Sequence, residues 1–248
     1  MYEKGALTDV RRFILDSGEK YCVCTIMQSW NEDTDTFFPF IHKQAWLHGK
    51  FYHRENLIEK HQITFKKDLR THEDIYFNSC VLSALYGMGI MDFTYQDIVT
   101  YRWVENPDSI TRNYEGERGY LHENFDDYID AAAEPFWEGA VSGLEVHINQ
   151  IMMALLHSYF YYEAVSYLYG AEAYRDNLTS VKNLIWRITE ELKMSADDIV
   201  NYIYSDPVKY AIVRSECQLS EGFFIEKTSF RDFTYRIMDI NALGRKEG

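Results

Sequence analysis

The sequence predicts an α/β protein whose first half mixes strands with helices and whose second half is an all-helical bundle. Up to about residue 119, short apolar runs end at Gly, Pro or polar turn residues. After that point apolar residues recur at helical spacing, and Gly and Pro are rare. Hydrophobic residues make up 46% of the 248-residue chain, which is typical of a folded globular protein. We therefore expect two domains, at 1–119 and 120–248.

The first half is expected to begin with an amphipathic helix and a strand. Apolar residues recur at helical spacing across 7–15, and the apolar run 21–27 is bounded by Gly18 and a polar segment. Thr71 precedes a helical pattern and has Asp74 three residues later, which predicts an N-cap closed by a capping box. The other expected elements are a short strand near 46–47, a helix over 55–61, the helix from Thr71 to about residue 85, and a strand over 97–104.

The second half is expected to contain five helices. Ser195 before an acidic first turn predicts an N-cap, and Pro207 after Asp206 predicts another helix start. The segment 143–169 is apolar on more than one face, which indicates burial in a bundle or at a subunit interface. The expected helices cover 122–134, 143–169, 177–194, 196–204 and 207–217.

Charge and cysteine content exclude some classes of function. The formal net charge is −14, which opposes general attraction to a nucleic-acid backbone. The four cysteines show neither metal-binding spacing nor a disulfide framework, which favours a reducing, cytoplasmic compartment. We find no signal peptide and no apolar run of about 18 residues, and therefore expect no membrane span.

Three segments in fixed order carry the functional signal. They are Trp-Leu-His-Gly-Lys-Phe-Tyr-His-Arg-Glu at 46–55, Thr-His-Glu-Asp-Ile-Tyr-Phe-Asn at 71–78, and a stretch from Tyr-Arg-Trp at 101–103 to Ser-Ile-Thr-Arg at 109–112. Together they resemble the W-x-x-G-K-x-[YF]-x-R, E-D-x-x-F and Y-x-Y-R-x-x-x-x-S-[IV]-T blocks of family 2 glycosyltransferases. The resemblance covers residues 7–112. It implies a partial GT-A-like (Rossmann-like) domain ahead of the helical bundle.

The resemblance implies inverting transfer of a hexose from a nucleoside-diphosphate sugar to a hydroxyl acceptor. In such a reaction a carboxylate takes the proton of the acceptor hydroxyl while the sugar C1 is attacked in line. By resemblance Asp74 is the general base and Glu73 supports it. The residues alone leave an alternative, since acids in the first turn of a helix often act only as caps and dipole partners. The helix dipole also lowers the basicity of Asp74, so burial or a neighbouring acid would have to offset it.

Further residues are expected to bind substrate. Lys50 suits a diphosphate or acceptor contact and is otherwise a surface lysine, while Trp46 suits stacking on a sugar and is otherwise a core residue. By resemblance Arg102 lies near the diphosphate, which a guanidinium can bind in a bidentate manner. For the loop after Arg102, the alternative is a purely structural turn. The full expected set is Trp46, Lys50, His72, Arg102, Ser109 and Thr111.

The metal site that the resemblance implies is incomplete in this sequence. A GT-A domain normally begins with a nucleotide-binding half ending in a D-x-D motif, which holds Mn²⁺ or Mg²⁺ on the sugar diphosphate. Nothing ahead of residue 7 supplies that half. Asp33 and Asp35 form a D-x-D, but they come late for the family layout, and a polar loop is the alternative. We therefore expect a divalent metal held mainly by a D-x-D that this sequence lacks.

Two interpretations follow from the incomplete motif set. In the first, the chain is part of a longer or split enzyme. A second chain then supplies the donor-binding half, and that chain or a second copy covers an open sheet edge. In the second, the domain is a degenerate, noncatalytic module that binds a glycan or a protein. The intact Glu73–Asp74 pair favours the first interpretation.

Overall fold

A computed structural model describes residues 2–31, 36–40, 47–69, 71–104, 125–169, 178–217 and 228–244. The chain forms two compact units, Met1–Glu117 and Arg118–Gly248. The first unit contains a small sheet with helices, and the second is helical over its described residues, so the protein is mixed α/β. Within the ranges given above, no helix is both long and apolar enough to cross a lipid bilayer.

The first unit alternates helices with short strands. Its first helix lies between Gly5 and Gly18, which both have left-handed backbone conformations that glycine adopts at little cost. The predicted helix over 7–15 and strand over 21–27 are confirmed, and the structure extends both. The elements are α1 (Ala6–Ser17), β1 (Cys22–Asn31), β2 (Thr36–Phe40), β3 (Lys50–Tyr52), a π-helical turn (Arg54–Glu59), α2 (Glu73–Gly87) and β4 (Thr94–Val104).

Strand β1 is the centre of the four-stranded sheet. Residues 22–24 of β1 pair antiparallel with β3, and residues 27–31 pair antiparallel with β2. Strand β4 runs parallel to β1 and pairs with it between residues 23 and 30. Because the same β1 residues pair with β4 and with β2 or β3, β4 occupies one edge of β1 and the two short strands share the other edge. The sheet is therefore mixed, and β1 carries every pairing within it.

The strand predicted near 46–47 is wrong at Leu47, while Trp46 lies outside the described residues. Leu47 lies at a bend, and the strand begins only at Lys50. The Lys50 N–H closes a turn by donating to the Leu47 carbonyl oxygen over 3.3 Å. Gly49 has a φ of 75°, which is incompatible with an extended strand through this position. Apolar composition alone did not show which residues of this aromatic-rich stretch would pair with β1.

Helix α2 buries its apolar side chains and packs against β3. Phe77 is 8% exposed, while Val81 and Leu85 are 0% and 1% exposed. The Tyr52 ring meets the Phe77 ring edge-on, with centroids 5.4 Å apart. This contact places the first two turns of α2 over the face of β3 that carries Tyr52.

The second unit confirms the five predicted helices and adds others. Ser195 caps its helix in a full capping box with Asp198, and Pro207 begins the next helix, as the sequence indicates. The sequence pattern did not reveal the short helical segments between 134 and 141 or the last helix. The elements are α3 (Phe125–Ala133), a 3₁₀ turn (Glu134–Phe136), α4 (Trp137–Val141), α5 (Glu145–Tyr169), α6 (Leu178–Glu191), α7 (Ala196–Tyr204), α8 (Pro207–Cys217) and α9 (Phe230–Gly244).

Helix α5 is the core of the second unit. At 100° per residue its buried side chains cover about two thirds of its circumference, which agrees with the apolar pattern on more than one face. Tyr159 packs edge-on against Phe230 of α9 at 5.3 Å, and its hydroxyl donates to the Thr228 carbonyl oxygen over 2.6 Å. The Glu163 carboxylate accepts the Thr228 N–H over 3.2 Å. The buried residues of α5 are His147, Ile151, Met152, Ala154, Leu155, Leu156, Ser158, Tyr159, Phe160 and Glu163.

We expect Leu156→Ala to lower the free energy of unfolding of the second unit by about 2–5 kcal/mol, because Leu156 is fully buried and its truncation leaves a cavity. Urea denaturation followed by far-UV circular dichroism measures the change. Leu144→Ala is the matched control, since Leu144 is 41% exposed; it should cost less than about 1 kcal/mol. Equal losses in both variants would show that α5 is not the core.

Candidate functional site

The glycine of the first motif is held against β1. Thr25 donates its backbone N–H to the Gly49 carbonyl oxygen over 2.8 Å, and its hydroxyl donates to the same oxygen over 2.7 Å. The Thr100 hydroxyl of β4 lies 2.6 Å from that of Thr25. A side chain at position 49 would meet the Thr25 hydroxyl at 3.2 Å, in addition to the strain of a φ of 75°. Glycine is therefore required where the chain enters β3.

Lys50, the residue after this glycine, is buried and not a surface lysine. Its exposure is 6%, and it pairs directly with Cys24 of β1. Residues directly opposite each other on antiparallel strands share a face of the sheet. The Lys50 ammonium also lies 5.8 Å from the centroid of the Phe93 ring. Burial lowers the pKa of Lys50, and the neighbouring Cys24, Cys22 and Asp74 oppose this shift.

Asp74 lies in the first turn of α2 but does not form the capping box expected with Thr71. The helix begins one residue later than predicted, with His72 as N-cap in a left-handed conformation at φ 61° and no side-chain cap. The Thr71 hydroxyl lies 2.9 Å from Nδ1 of His72 instead. The Asp74 carboxylate accepts the N–H of the next residue, Ile75, over 2.8 Å. The predicted capping box is therefore wrong, although the Asp74 carboxylate still accepts one of the free N–H groups of the first helical turn.

The electrostatic environment of Asp74 favours its protonated form. Burial is the largest cause and raises the pKa of Asp74; the N–H of Ile75 and the Lys50 ammonium oppose the shift, while Glu73 adds to it. The helix dipole lowers the pKa of a carboxylate at this position. Burial opposes that effect at Asp74, as a general base at this position requires. Asp74 and Lys50, which come from separate motifs, each contribute to the pKa shift of the other.

A second pair links the same two elements, and the sequence analysis did not single it out. The Tyr52 hydroxyl donates to Oδ1 of Asn78 over 2.6 Å, and Asn78 is 2% exposed. Burial raises the pKa of Tyr52, so its hydroxyl stays protonated. Tyr52 follows Lys50 by two residues, and Asn78 follows Asp74 by four. These spacings, which place each pair on one face of its element, were the available signal.

The other predicted residues are distributed differently. Glu73 is exposed and His72 half-buried at the start of α2. Arg102 pairs with β1 at Gln28, four residues beyond Cys24, and so lies farther along the sheet. Its guanidinium forms an ion pair with Glu3 at 2.8 Å and lies 4.7 Å from the centroid of the Phe37 ring. Five predicted residues lie outside the described part of the chain, namely Trp46, Asp33, Asp35, Ser109 and Thr111.

The described residues offer no metal centre. Within those ranges, no group of three or more His, Cys, Asp or Glu side chains is arranged to hold a metal ion. His48 instead lies 4.5 Å from the Tyr101 ring, and Nδ1 of His53 accepts the Asn56 N–H over 3.2 Å. These two histidines of the first motif therefore have structural contacts.

An open groove of about 330 Å³ lies at the opposite end of α2. Leu85 contributes to its wall, and eleven residues of helix separate Leu85 from Asp74, or about 16 Å. The acidic side chains that line the groove, Glu19 and Asp92, accept hydrogen bonds from other groups of the protein. Glu19 accepts the Thr94 hydroxyl and two backbone N–H groups, and Asp92 accepts the Tyr95 hydroxyl. The groove is therefore separate from the Lys50–Asp74 site.

We expect Asp74→Asn to make the protein more stable than wild type at neutral pH. A raised pKa means that the folded state binds the Asp74 proton more tightly than the unfolded state does. The free energy of unfolding of the wild type therefore falls as the pH rises above the unfolded value of about 4, and the asparagine removes this loss. The difference between the two proteins should widen as the pH rises above about 4 and level off once the pH exceeds the raised pKa of Asp74 in the folded state.

Urea denaturation at several pH values measures this difference. Asp68→Asn is the matched control, because Asp68 is exposed in the same unit and its charge is already solvated. A difference at Asp74 that narrows as the pH rises would contradict the environment described for this carboxylate.

Comparison with known proteins does not identify the chain. No family model, no curated protein and no solved structure matches it. The function is therefore inferred from the motif residues and from the surroundings of Lys50 and Asp74.

Proposed function

We propose that the first unit is the catalytic part of an inverting glycosyltransferase of the family 2 type, with Asp74 as general base. The observation that carries the proposal is the state of Asp74. It is a half-buried carboxylate in the first turn of α2 that forms no capping box with Thr71. Its pKa is raised, and the buried Lys50 is among the charges that act on it. A raised pKa suits a base that must accept a proton near neutral pH.

In the proposed reaction, the acceptor hydroxyl oxygen forms a bond to C1 of the donor hexose. The bond from C1 to the diphosphate oxygen breaks at the same time, and the nucleoside diphosphate leaves with that electron pair. Asp74 takes the hydroxyl proton, and Glu73 supports it from the adjacent position. The fixed backbone around Asp74 holds the carboxylate in one place, which favours an oriented attack. The Lys50 ammonium stabilises the negative charge that develops on the substrates.

The donor diphosphate and its metal are assigned to groups beyond the described residues. The resemblance implies Mn²⁺ or Mg²⁺ on a D-x-D, but the residues around Asp74 do not fit a metal site. Asp33 and Asp35 belong to the part of the chain that the structure does not describe. We propose that a second chain, together with Ser109 and Thr111, completes donor binding. The proton transfer to Asp74 does not require Asp74 to bind the metal.

A noncatalytic module that binds a glycan or a protein is the competing function. One observation favours it. Arg102, which the resemblance assigns to the diphosphate, is paired with Glu3 at 2.8 Å. The Glu3 carboxylate already balances the charge of this guanidinium and would repel a diphosphate. The two functions differ in whether a nucleoside diphosphate is released.

The proposed activity is tested on protein purified by an affinity tag from its native cells, together with whatever binds it. Release of nucleoside diphosphate from a panel of nucleoside-diphosphate hexoses, with Mn²⁺, should depend on added acceptor. Asp74→Asn should lower kcat by about 10²–10⁴-fold, because the base is removed. Calorimetric titration with UDP should show that Asp74→Asn leaves donor binding unchanged.

Asp68→Asn should keep the wild-type rate, because Asp68 is exposed and outside the site. An Asp74→Asn variant with full activity would reject Asp74 as the base. Release from no donor in the panel, with Mn²⁺ present, would favour the noncatalytic module.

A further inference from the structure

Two contacts between β3 and α2 have matching spacings. Lys50 and Tyr52 are two residues apart on a strand, so their side chains share a face and stand about 7 Å apart. Asp74 and Asn78 are four residues apart on a helix, so they share a face about 6 Å apart. Tyr52 contacts Asn78 through a hydrogen bond, while Lys50 and Asp74 interact electrostatically one step away. The two pairs therefore form neighbouring rungs between the strand and the helix.

The Tyr52–Asn78 rung is a strong, directional link. The two oxygen atoms lie 2.6 Å apart, and Asn78 is 2% exposed, so the acceptor end of the bond is shielded from water. Phe77 packs edge-on against the Tyr52 ring at 5.4 Å and holds the phenol in place. Removal of the hydroxyl would leave a buried amide oxygen without this donor, which is costly in an apolar environment.

The Tyr52–Asn78 hydrogen bond adds a link that the N-cap of α2 does not provide. The N-cap residue, His72, makes no side-chain hydrogen bond to the helix, and its φ of 61° places it in a conformation that few non-glycine residues adopt. A Ser or Thr cap would normally fix the first turn. The hydrogen bond from Tyr52 is a part-buried polar contact between β3 and α2, and it lies one turn beyond Asp74.

We propose that the Tyr52–Asn78 hydrogen bond positions α2 on β3 and so holds the Asp74 carboxylate beside the Lys50 ammonium. Tyr52 and Asn78 are positioning residues and do not touch substrate. This inference deepens the proposed function. Only its expected effect on catalysis rests on that function. The electrostatic coupling between Lys50 and Asp74 is a property of the fold, and it can be measured without any activity.

The test is a double-mutant cycle read out on the pKa of Asp74, measured by NMR titration of ¹³C-labelled aspartate carboxyls. In the wild-type background, Lys50→Met removes a cation near Asp74 and should raise its pKa. In the Tyr52→Phe background, the same Lys50→Met substitution should raise it by about half as much or less, because the two groups are no longer held together. Asn78→Ala removes the acceptor of the same hydrogen bond and should also weaken the coupling between Lys50 and Asp74.

Tyr235→Phe is the matched control. It removes a 2.6 Å hydrogen bond to Asp197 on the exposed surface of the second unit, and should leave the coupling unchanged. Equal coupling in the wild-type and Tyr52→Phe backgrounds would overturn the proposal, even if Tyr52→Phe is less stable. Loss of coupling with Tyr52→Phe and not with Tyr235→Phe supports it.

The kinetic arm separates this inference from the proposed function. With an active preparation, Tyr52→Phe should lower kcat by about 10–100-fold at unchanged KM, because a misplaced base slows the chemical step. In the Asp74→Asn background the same substitution should have no further effect on kcat. A preparation without transfer activity but with the expected loss of coupling would reject the proposed function and retain the positioning role.

Discussion

The first unit depends on the attachment of the Gly49 turn to strand β1. Two hydrogen bonds from Thr25 hold the Gly49 carbonyl oxygen, and they set the register in which Lys50 faces Cys24 and Tyr52 faces Cys22. A shift of one residue would turn Lys50 to the opposite face of the sheet. The positions of both rungs between β3 and α2 follow from this register, and so does the electrostatic environment of Asp74.

At this site, tertiary contacts outweigh the effect that the local secondary structure has on the pKa of Asp74. An aspartate in the first turn of a helix normally has its pKa lowered by the dipole and the free N–H groups. Here burial outweighs these effects and leaves Asp74 more basic than its position in the helix suggests. Lys50 is affected in the complementary way, since burial lowers its pKa. Such opposed shifts of neighbouring groups are common where a protein handles protons.

The second unit is stabilised by a different principle. One long helix, α5, packs its side chains over about two thirds of its circumference, and its tyrosine and glutamate also satisfy the backbone at Thr228, just before α9. Arg187 adds a polar link, since its guanidinium lies 4.1 Å from the Trp137 ring centroid and pairs with Glu134 and Glu191. Buried polar groups with partners inside the protein define the packing more uniquely than apolar contacts alone.

The sequence by itself determined the α/β class of the first unit, most helices of both units and the three motif blocks, because apolar periodicity and cap residues are local properties. It placed a strand near 46–47, expected a capping box at Thr71, and did not reveal α9 or the pair of Tyr52 and Asn78. Only the tertiary structure decided these points. Strand register, the burial of Lys50 and the pKa of Asp74 all depend on residues distant in the chain, such as Thr25, Cys24 and Phe93, whose proximity no local pattern records.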